Sequence, residues 1–219
     1  DSRVSRGLGD VYKRQGEFAC LEKANVDTDQ IIPKQFLKSI SKTGLGPYLF
    51  DAWRFTDEGY LGKKLSDRKI NPDFILNKPL YSQINVLIAD DNFGCGSSRE
   101  HAVWALKDFG INVVIASSFG DIFFNNCFKN GVLAIKISQE QINEIFSQQN
   151  NNSQKQIEID LISQNIKIPN IKLIDFEIDD FRKNCLLEGL DGIGFSLKYE
   201  TEISNLSLIH ISEPTRHTR

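Results

Sequence analysis

The sequence predicts a single-domain α/β protein with parallel strand and helix units followed by antiparallel strands. Residues 84–109 begin with a short apolar run, turn at glycines and continue with apolar residues at helical spacing. Short apolar, β-branched runs at 111–116 and 132–137 each follow a helical stretch. A strand, a helix and another strand in succession indicate a parallel pair. Alternating runs within 157–168 predict a later hairpin.

Length and composition are those of an ordinary globular protein. The 219 residues are enough to bury a core, and 40% are hydrophobic and 25% charged. The net charge of −3 gives no electrostatic reason to expect a nucleic acid or an anionic membrane as partner. Because the chain has neither a long apolar span nor the apolar core of a signal peptide, we expect a cytoplasmic protein that binds no membrane.

The four cysteines are far apart in the sequence and form no C-x-x-C pair: Cys20, Cys95, Cys127 and Cys185. The spacing of metal ligands is therefore absent, and we expect neither a metal ion nor an iron–sulfur cluster in this chain. Reduced thiols suit the expected cytoplasmic location.

The remaining segments complete the predicted element order. A first strand is expected at 17–22, and 43–91 is a connection punctuated by glycine and proline whose aromatic residues should lie in the core or at a subunit interface. Ser138 and Gln141 have the spacing of a capping box that opens a helix. A last strand at 173–178 and a helix at 179–188 follow.

The glycine turn at 94–96 is the candidate site. Glycines allow close approach of a ligand to the backbone, and the unpaired N–H groups of a helix start favour an anion. Ser97, Ser98 and Arg99 add hydroxyls and a guanidinium that could grip a carboxylate. A second interpretation is structural, with Ser97 as the N-cap and Glu100 as the third residue of a capping box.

His101 lies on the first turn of the same predicted helix. An imidazole beside a candidate site could transfer protons. We expect instead that it packs or forms structural hydrogen bonds.

Four stretches together resemble one protein family. Residues 92–106 read NFGCGSSREHAVWAL, which closely resembles the signature of the small subunits of 3-isopropylmalate dehydratases in the aconitase family of iron–sulfur hydro-lyases. The resemblance continues at 25–39 (NVDTDQIIPKQFLKS), 115–133 (IASSFGDIFFNNCFKNGVL) and 185–197 (CLLEGLDGIGFSL), in the order that the family shows.

The resemblance covers residues 16–205 and implies the swivelling β/β/α domain that aconitases carry at their C-terminal end. This domain would here be a separate polypeptide. Residues 1–15 and 206–219 have no counterpart in the family pattern, and we interpret both as non-native flanks.

The resemblance also implies roles for individual residues. Ser97 matches the catalytic serine that abstracts a proton, Arg99 matches an arginine that binds a substrate carboxylate, and Ser98 matches a neighbouring contact. Asp29 belongs to a loop near the substrate, although Asp27 and Asp29 are equally well explained as carboxylates that cap a turn. Three residues that follow match a region associated with substrate choice: Phe36, Leu37 and Lys38.

The family's reaction implies a partner. Its members convert 2-isopropylmalate to 3-isopropylmalate in leucine biosynthesis, by dehydration and rehydration, with a [4Fe–4S] cluster. Since this chain lacks cluster ligands, a large subunit should carry the cluster. Two alternatives stay open: the small subunit of a related hydro-lyase (homoaconitase or a dimethylmalate or citraconate hydratase), and a non-catalytic module that binds anions.

Overall fold

A computed structural model describes residues 13–38, 41–149 and 155–188. Its strands are β1 (Lys13–Leu21), β2 (Ile84–Ala89), β3 (Val113–Ala116), β4 (Leu133–Lys136), β5 (Gln156–Asp160), β6 (Asn165–Lys167) and β7 (Ile174–Asp175). They form a single sheet in the order β4-β3-β2-β1-β5-β6-β7.

The α-helices within these residues are α1 (Thr28–Ile31), α2 (Asp51–Arg54), α3 (Glu100–Phe109), α4 (Asp121–Lys129), α5 (Gln139–Gln149) and α6 (Asp180–Glu188). Short 3₁₀ turns occupy much of the connection between β1 and β2. No helix in the described ranges is long and apolar enough to cross a membrane.

The parallel half of the sheet agrees with the sequence prediction. β1 pairs with β2, β2 with β3 and β3 with β4, all in parallel. The chain between the strands of each pair crosses over a face of the sheet. Gly110 ends α3 in the left-handed region at φ 112°, where glycine has no steric penalty. The predicted capping box is confirmed, since Gln141 N–H donates to Ser138 Oγ at 3.2 Å and Ser138 N–H donates to Gln141 Oε1 at 2.9 Å.

The antiparallel half confirms the hairpin of β5 and β6 and extends the first strand. Lys13 pairs with Asp160 across β1 and β5, so β1 begins four residues before the predicted start at Glu17. Lys13–Leu21 therefore includes three residues of the segment interpreted as a flank. The non-native origin of residues 1–15 stays a prediction. The strand predicted at 173–178 is reduced to Ile174–Asp175.

Each face of the sheet covers a separate core, because successive residues of a strand point to opposite faces. Ala19 and Leu87 pack on the face that carries α3 and α4, together with the apolar residues of those helices. Cys20 and Ile88 pack on the other face with Ile142 of α5 and with β5, β6 and β7. Helices α3 and α4 thus cover one face of the sheet, and α5 packs on the other face together with the antiparallel strands β5 to β7 of the same sheet.

The connection between β1 and β2 contributes to the first core. Tyr48, Leu49, Phe50 and Phe55 are buried, which confirms the core interpretation of this aromatic cluster. Residues 189–197 of the last family stretch and the carboxyl-terminal flank at 206–219 lie outside the described residues.

Candidate functional site

The candidate site lies at the carboxyl ends of the parallel strands, where the loops after β1 and β2 meet. Because β1 and β2 are neighbours in the sheet, these loops run side by side. Gly94 N–H donates to Val26 O at 2.7 Å, and Thr28 N–H donates to Cys95 O at 3.0 Å. This edge is the usual ligand-binding position of open α/β sheets.

A third loop, after β3, holds the glycine turn from the other side. Phe93 N–H donates to Ser118 O at 3.1 Å, and Gly120 N–H donates to Phe93 O at 3.0 Å. A Cβ atom on Gly120 would lie 2.5 Å from Gly94 O. The turn is therefore fixed between two neighbouring loops by main-chain bonds.

The two glycines of the turn have different requirements. Both Gly94 (φ 74°) and Gly96 (φ 86°) adopt the left-handed region that side chains disfavour. A Cβ atom on Gly94 would lie 2.2 Å from the Phe123 ring, whereas one on Gly96 would meet only Asp27 Cβ at 3.5 Å. Gly94 thus allows close packing against the protein's own α4, which the sequence analysis had attributed to a ligand.

The structural alternative for Ser97 is wrong. Helix α3 begins at Glu100, its N-cap is Arg99 in an extended conformation, and no side chain caps it. Glu100 instead accepts a hydrogen bond from Asn130 Nδ2 at 2.9 Å. Ser97 and Ser98 are exposed, and the Ser97 hydroxyl forms no hydrogen bond with any residue in the described part of the chain.

Arg99 reaches across to the loop after β1. Its Nη1 atom forms an ion pair with Asp29 Oδ1. The side chains of Arg99 and Asp29 are 22% and 52% exposed, so solvent and small molecules can reach the pair. No other hydrogen bond of the Arg99 guanidinium occurs within the described ranges.

Asp27 caps helix α1, and Asp29 does not. Gln30 N–H donates to Asp27 Oδ1 at 2.7 Å, and Asp27 N–H donates to Gln30 Oε1 at 2.9 Å, which completes a capping box for α1. The spacing of Asp27 and Gln30 is the sequence signal that could have identified this cap.

Thr28 is a site residue that the sequence analysis missed. Its hydroxyl donates to Ser97 O at 3.0 Å across 69 positions of sequence. No local pattern signals such a contact, because it depends on the pairing of β1 with β2.

The three residues predicted to influence substrate choice lie at different depths. Phe36 is fully buried and stacks on Tyr48 with ring centroids 4.3 Å apart. Leu37 is half-buried against the same core, and Lys38 is exposed. The Phe36 side chain is therefore not accessible for the direct substrate contact that was predicted.

His101 is half-buried, and its ring lies 4.6 Å from the Trp104 ring, centroid to centroid. This contact agrees with the packing role predicted for it.

The donor set does not fit an iron–sulfur cluster. No three His, Cys, Asp or Glu side chains of the described residues are grouped so that they could hold a metal ion. Cys20, Cys127 and Cys185 are buried, and Cys95 is half-buried. Burial raises the pKa of the Cys20 thiol to about 12 and also raises the pKa of Cys127. Protonated, isolated thiols are poor metal ligands.

Comparison with known proteins agrees with the fold and the motifs. Residues 9–140 match the sequence pattern of the aconitase C-terminal domain, so the chain belongs to that family.

Proteins with similar sequences show to which group within this family the chain belongs. The chain is 54% identical over 188 residues to the 3-isopropylmalate dehydratase small subunit of Aromatoleum aromaticum, an alignment that covers 86% of this chain and 88% of the relative. It is also 54% identical over 185 residues to the subunit of the same name from Magnetococcus marinus, covering 84% and 87%. Within the aconitase family it therefore groups with the small subunits of 3-isopropylmalate dehydratases, as the motifs predicted.

A solved structure agrees as well. The crystal structure of 3-isopropylmalate dehydratase from Methanocaldococcus jannaschii superposes with a TM-score of 0.60 at 26% identity. The match covers 88% of this chain and 98% of the other. The predicted aconitase-type fold is confirmed.

Proposed function

We propose that this chain is the small subunit of a 3-isopropylmalate dehydratase that isomerises 2-isopropylmalate to 3-isopropylmalate in leucine biosynthesis. The names of relatives at 54% identity support the proposal. The observation that carries it is local: an exposed serine hydroxyl and a half-buried arginine, bonded to Asp29 alone among the described residues, lie two positions apart at the carboxyl edge of the sheet. We place the reaction in the cytoplasm.

Arg99 would bind a carboxylate of the substrate. Among the described residues, Asp29 alone bonds the guanidinium, through Nη1, which leaves its other N–H groups for a charge-assisted, bidentate contact. Asp29 therefore acts on the substrate through Arg99, by orienting its guanidinium plane. Ser98 is exposed beside Arg99 and would be a neighbouring contact.

Ser97 would move the proton. In the dehydration step its deprotonated Oγ would take the proton from the carbon beside a carboxylate, and the C–H electron pair would form the new C=C bond as the hydroxyl leaves the adjacent carbon. A Lewis-acidic iron on the partner subunit would accept that hydroxyl. Rehydration reverses these changes with the hydroxyl on the other carbon. A serine is a weak base, and the positive charge of Arg99 and the N–H groups at the start of α3 favour its anionic form.

The partner would be a large subunit that carries the [4Fe–4S] cluster and the opposite wall of the cleft. The exposed position of the Ser97 turn suits a site that is completed by another chain. Leu37 and Lys38 would lie on the rim and influence substrate choice, while Phe36 supports them from the core.

Reconstitution tests the proposal. The chain is co-purified with an aconitase-type large subunit and assayed anaerobically with 2-isopropylmalate. Ser97→Ala should lower turnover by about 10²-fold or more, the usual scale for a positioned acid–base group, without weakening subunit association. Ser82→Ala, at an exposed serine before β2, is the control and should behave as the parent. Full turnover by Ser97→Ala would refute the assignment of the base.

A substrate panel separates the alternatives. One methylene changes discrimination in an apolar pocket by only about 1–3 kcal/mol, so homoaconitate and dimethylmalate are assayed beside isopropylmalate. A higher kcat/KM for either would identify a related hydro-lyase. Binding of a dicarboxylate without turnover in any reconstituted pair would instead favour the anion-binding module.

A further inference from the structure

Thr28 fastens the loop after β1 to both sides of Gly96. Its backbone N–H donates to Cys95 O at 3.0 Å, and its hydroxyl donates to Ser97 O at 3.0 Å. Thr28 is 1% exposed, so its hydroxyl is largely shielded from solvent. Cys95 O belongs to the peptide plane that precedes Gly96, and Ser97 O belongs to the plane that follows Ser97, so these bonds hold the chain on both sides of a residue whose backbone is permissive.

Helix α1 does not need the hydroxyl for its own stability. Thr28 is its first residue, and the capping box of Asp27 and Gln30 already satisfies its start. Ile31 is fully buried and anchors α1 in the core. The hydroxyl is thus directed to a neighbouring loop, away from the helix that carries it.

The Ser97 carbonyl receives a second donor, the N–H of Arg99 at 2.8 Å. Two hydrogen bonds to one carbonyl oxygen restrict rotation of the peptide plane that follows Ser97 and so limit the directions that the Ser97 Cα–Cβ bond can take. Placement of this kind matters for proton transfer, since a misplacement of about 1 Å can cost roughly 10²-fold in rate.

We propose that Thr28 is a positioning residue for Ser97, which holds the serine in the orientation required for proton transfer. The inference rests on the proposed role of Ser97 as the base. Loss of the Thr28 hydroxyl should slow the chemical step, while Arg99, held separately by Asp29, continues to bind the substrate carboxylate.

Thr28→Val tests this because valine has nearly the same shape and lacks the hydroxyl. In the reconstituted enzyme we expect kcat to fall by about tenfold to a hundredfold with KM changed by less than about twofold. Thr28→Ser keeps the hydroxyl and should retain most of the parent kcat. The control is Thr56→Val, which removes a similar bond from Thr56 Oγ1 to Lys69 O (3.3 Å) in another loop and should leave kcat unchanged.

A double-mutant cycle separates positioning from a general structural effect. In the Ser97→Ala background, Thr28→Val should cause no further loss of residual turnover, because the group that it positions is absent. An equal loss of kcat in both backgrounds, or a parent kcat in Thr28→Val, would overturn the proposal.

Two further outcomes are distinguishable. If Thr28→Val does not fold, Thr28→Ser and Thr28→Ala differ only in the hydroxyl, and equal kcat values in that pair would refute positioning. If Ser97→Ala itself retains full turnover, the proposed base is wrong and the positioning role fails with it. Parent activity in Thr28→Val with an inactive Ser97→Ala rejects the role of Thr28 alone.

Discussion

Two arginine–aspartate pairs in this protein have opposite surroundings. Arg68 and Asp51, in the connection between β1 and β2, form an ion pair with side chains 2% and 4% exposed. Arg99 and Asp29, at the edge of the sheet, form one with side chains 22% and 52% exposed. The same two residue types therefore occur once inside the protein and once at the candidate site.

The buried arginine forms hydrogen bonds through all three of its guanidinium nitrogens. Arg68 Nη1 donates to Asp51 at 2.6 Å, its Nε donates to the Asp57 carboxylate at 3.0 Å, and its Nη2 donates to Asp57 O at 3.2 Å. Its guanidinium also lies 3.8 Å from the centroid of the Phe55 ring. Arg99 has Asp29 alone within the described ranges. The number of unused donors, more than the charge, distinguishes a structural arginine from one that can bind a ligand.

The largest expected effect is on the buried pair. Arg68→Ala leaves the Asp51 carboxylate buried without its partner and should lower the free energy of unfolding by about 3–5 kcal/mol. Chemical denaturation measures this change. Lys64→Ala, at an exposed lysine of the same segment, should stay within about 0.5 kcal/mol of the parent. A comparably small effect of Arg68→Ala would show that the buried network is not structural.

The next effect concerns the glycine turn that carries Ser97. Gly94→Ala places a side chain at φ 74°, which should lower the free energy of unfolding by about 1–2 kcal/mol. The new methyl group also overlaps the Phe123 ring, and this overpacking should lower it by about 1–3 kcal/mol more. Gly44→Ala is the control, since Gly44 has φ 84° and open space around a Cβ atom. Equal destabilisation of the two variants would contradict the packing constraint from α4.

A smaller effect, on activity and not on stability, is expected at the exposed pair. Arg99→Lys keeps the charge but loses the fork that binds a carboxylate through two N–H groups. Hydrogen bonds to charged groups contribute about 1.5–3 kcal/mol, so kcat/KM should fall roughly tenfold to a hundredfold. The melting temperature should be unchanged.

Arg14→Lys, near the amino end of β1 and remote from the turn, provides the matched control for that substitution. Its kcat/KM should equal that of the parent. If Arg99→Lys instead lowered the stability and left kcat/KM unchanged, Arg99 would be a structural arginine like Arg68. The contrast between the two arginine–aspartate pairs would then disappear.

The smallest effect is the pH dependence of the buried network. The hydrogen bond from Lys63 is the main cause that lowers the pKa of the Asp57 carboxyl, and it outweighs the opposing effect of burial with help from Lys69 N–H and Arg68. A carboxyl with a depressed pKa in the folded state stabilises the protein above its unfolded pKa of about 4, and this contribution is lost as the pH falls further.

Melting temperatures at pH 7 and pH 3 measure this contribution. The parent should lose more stability between the two than Asp57→Asn, because the variant has no carboxyl to protonate at this position. Equal losses would show that the carboxyl of Asp57 contributes nothing to the acid sensitivity of the segment.

Local patterns were sufficient for the element order and for the identity of the candidate turn. The Ser138 and Gln141 cap and the hairpin of β5 and β6 depend on contacts between residues close in sequence, and both were predicted correctly. The motif around Ser97 likewise indicated the family without the fold, because a long contiguous match of residue types is specific in itself.

Contacts between distant residues were beyond such patterns. The bond from Thr28 to Ser97, the pairing of Asp29 with Arg99 and the burial of Phe36 exist only because parallel pairing places the loops after β1 and β2 side by side. Local spacing also fitted Ser97 as a helix cap, whereas α3 begins at Glu100 with Arg99 as its N-cap. A helix start or a strand is decided by near neighbours, whereas the partner of a side chain is decided by which strands become adjacent when the chain folds.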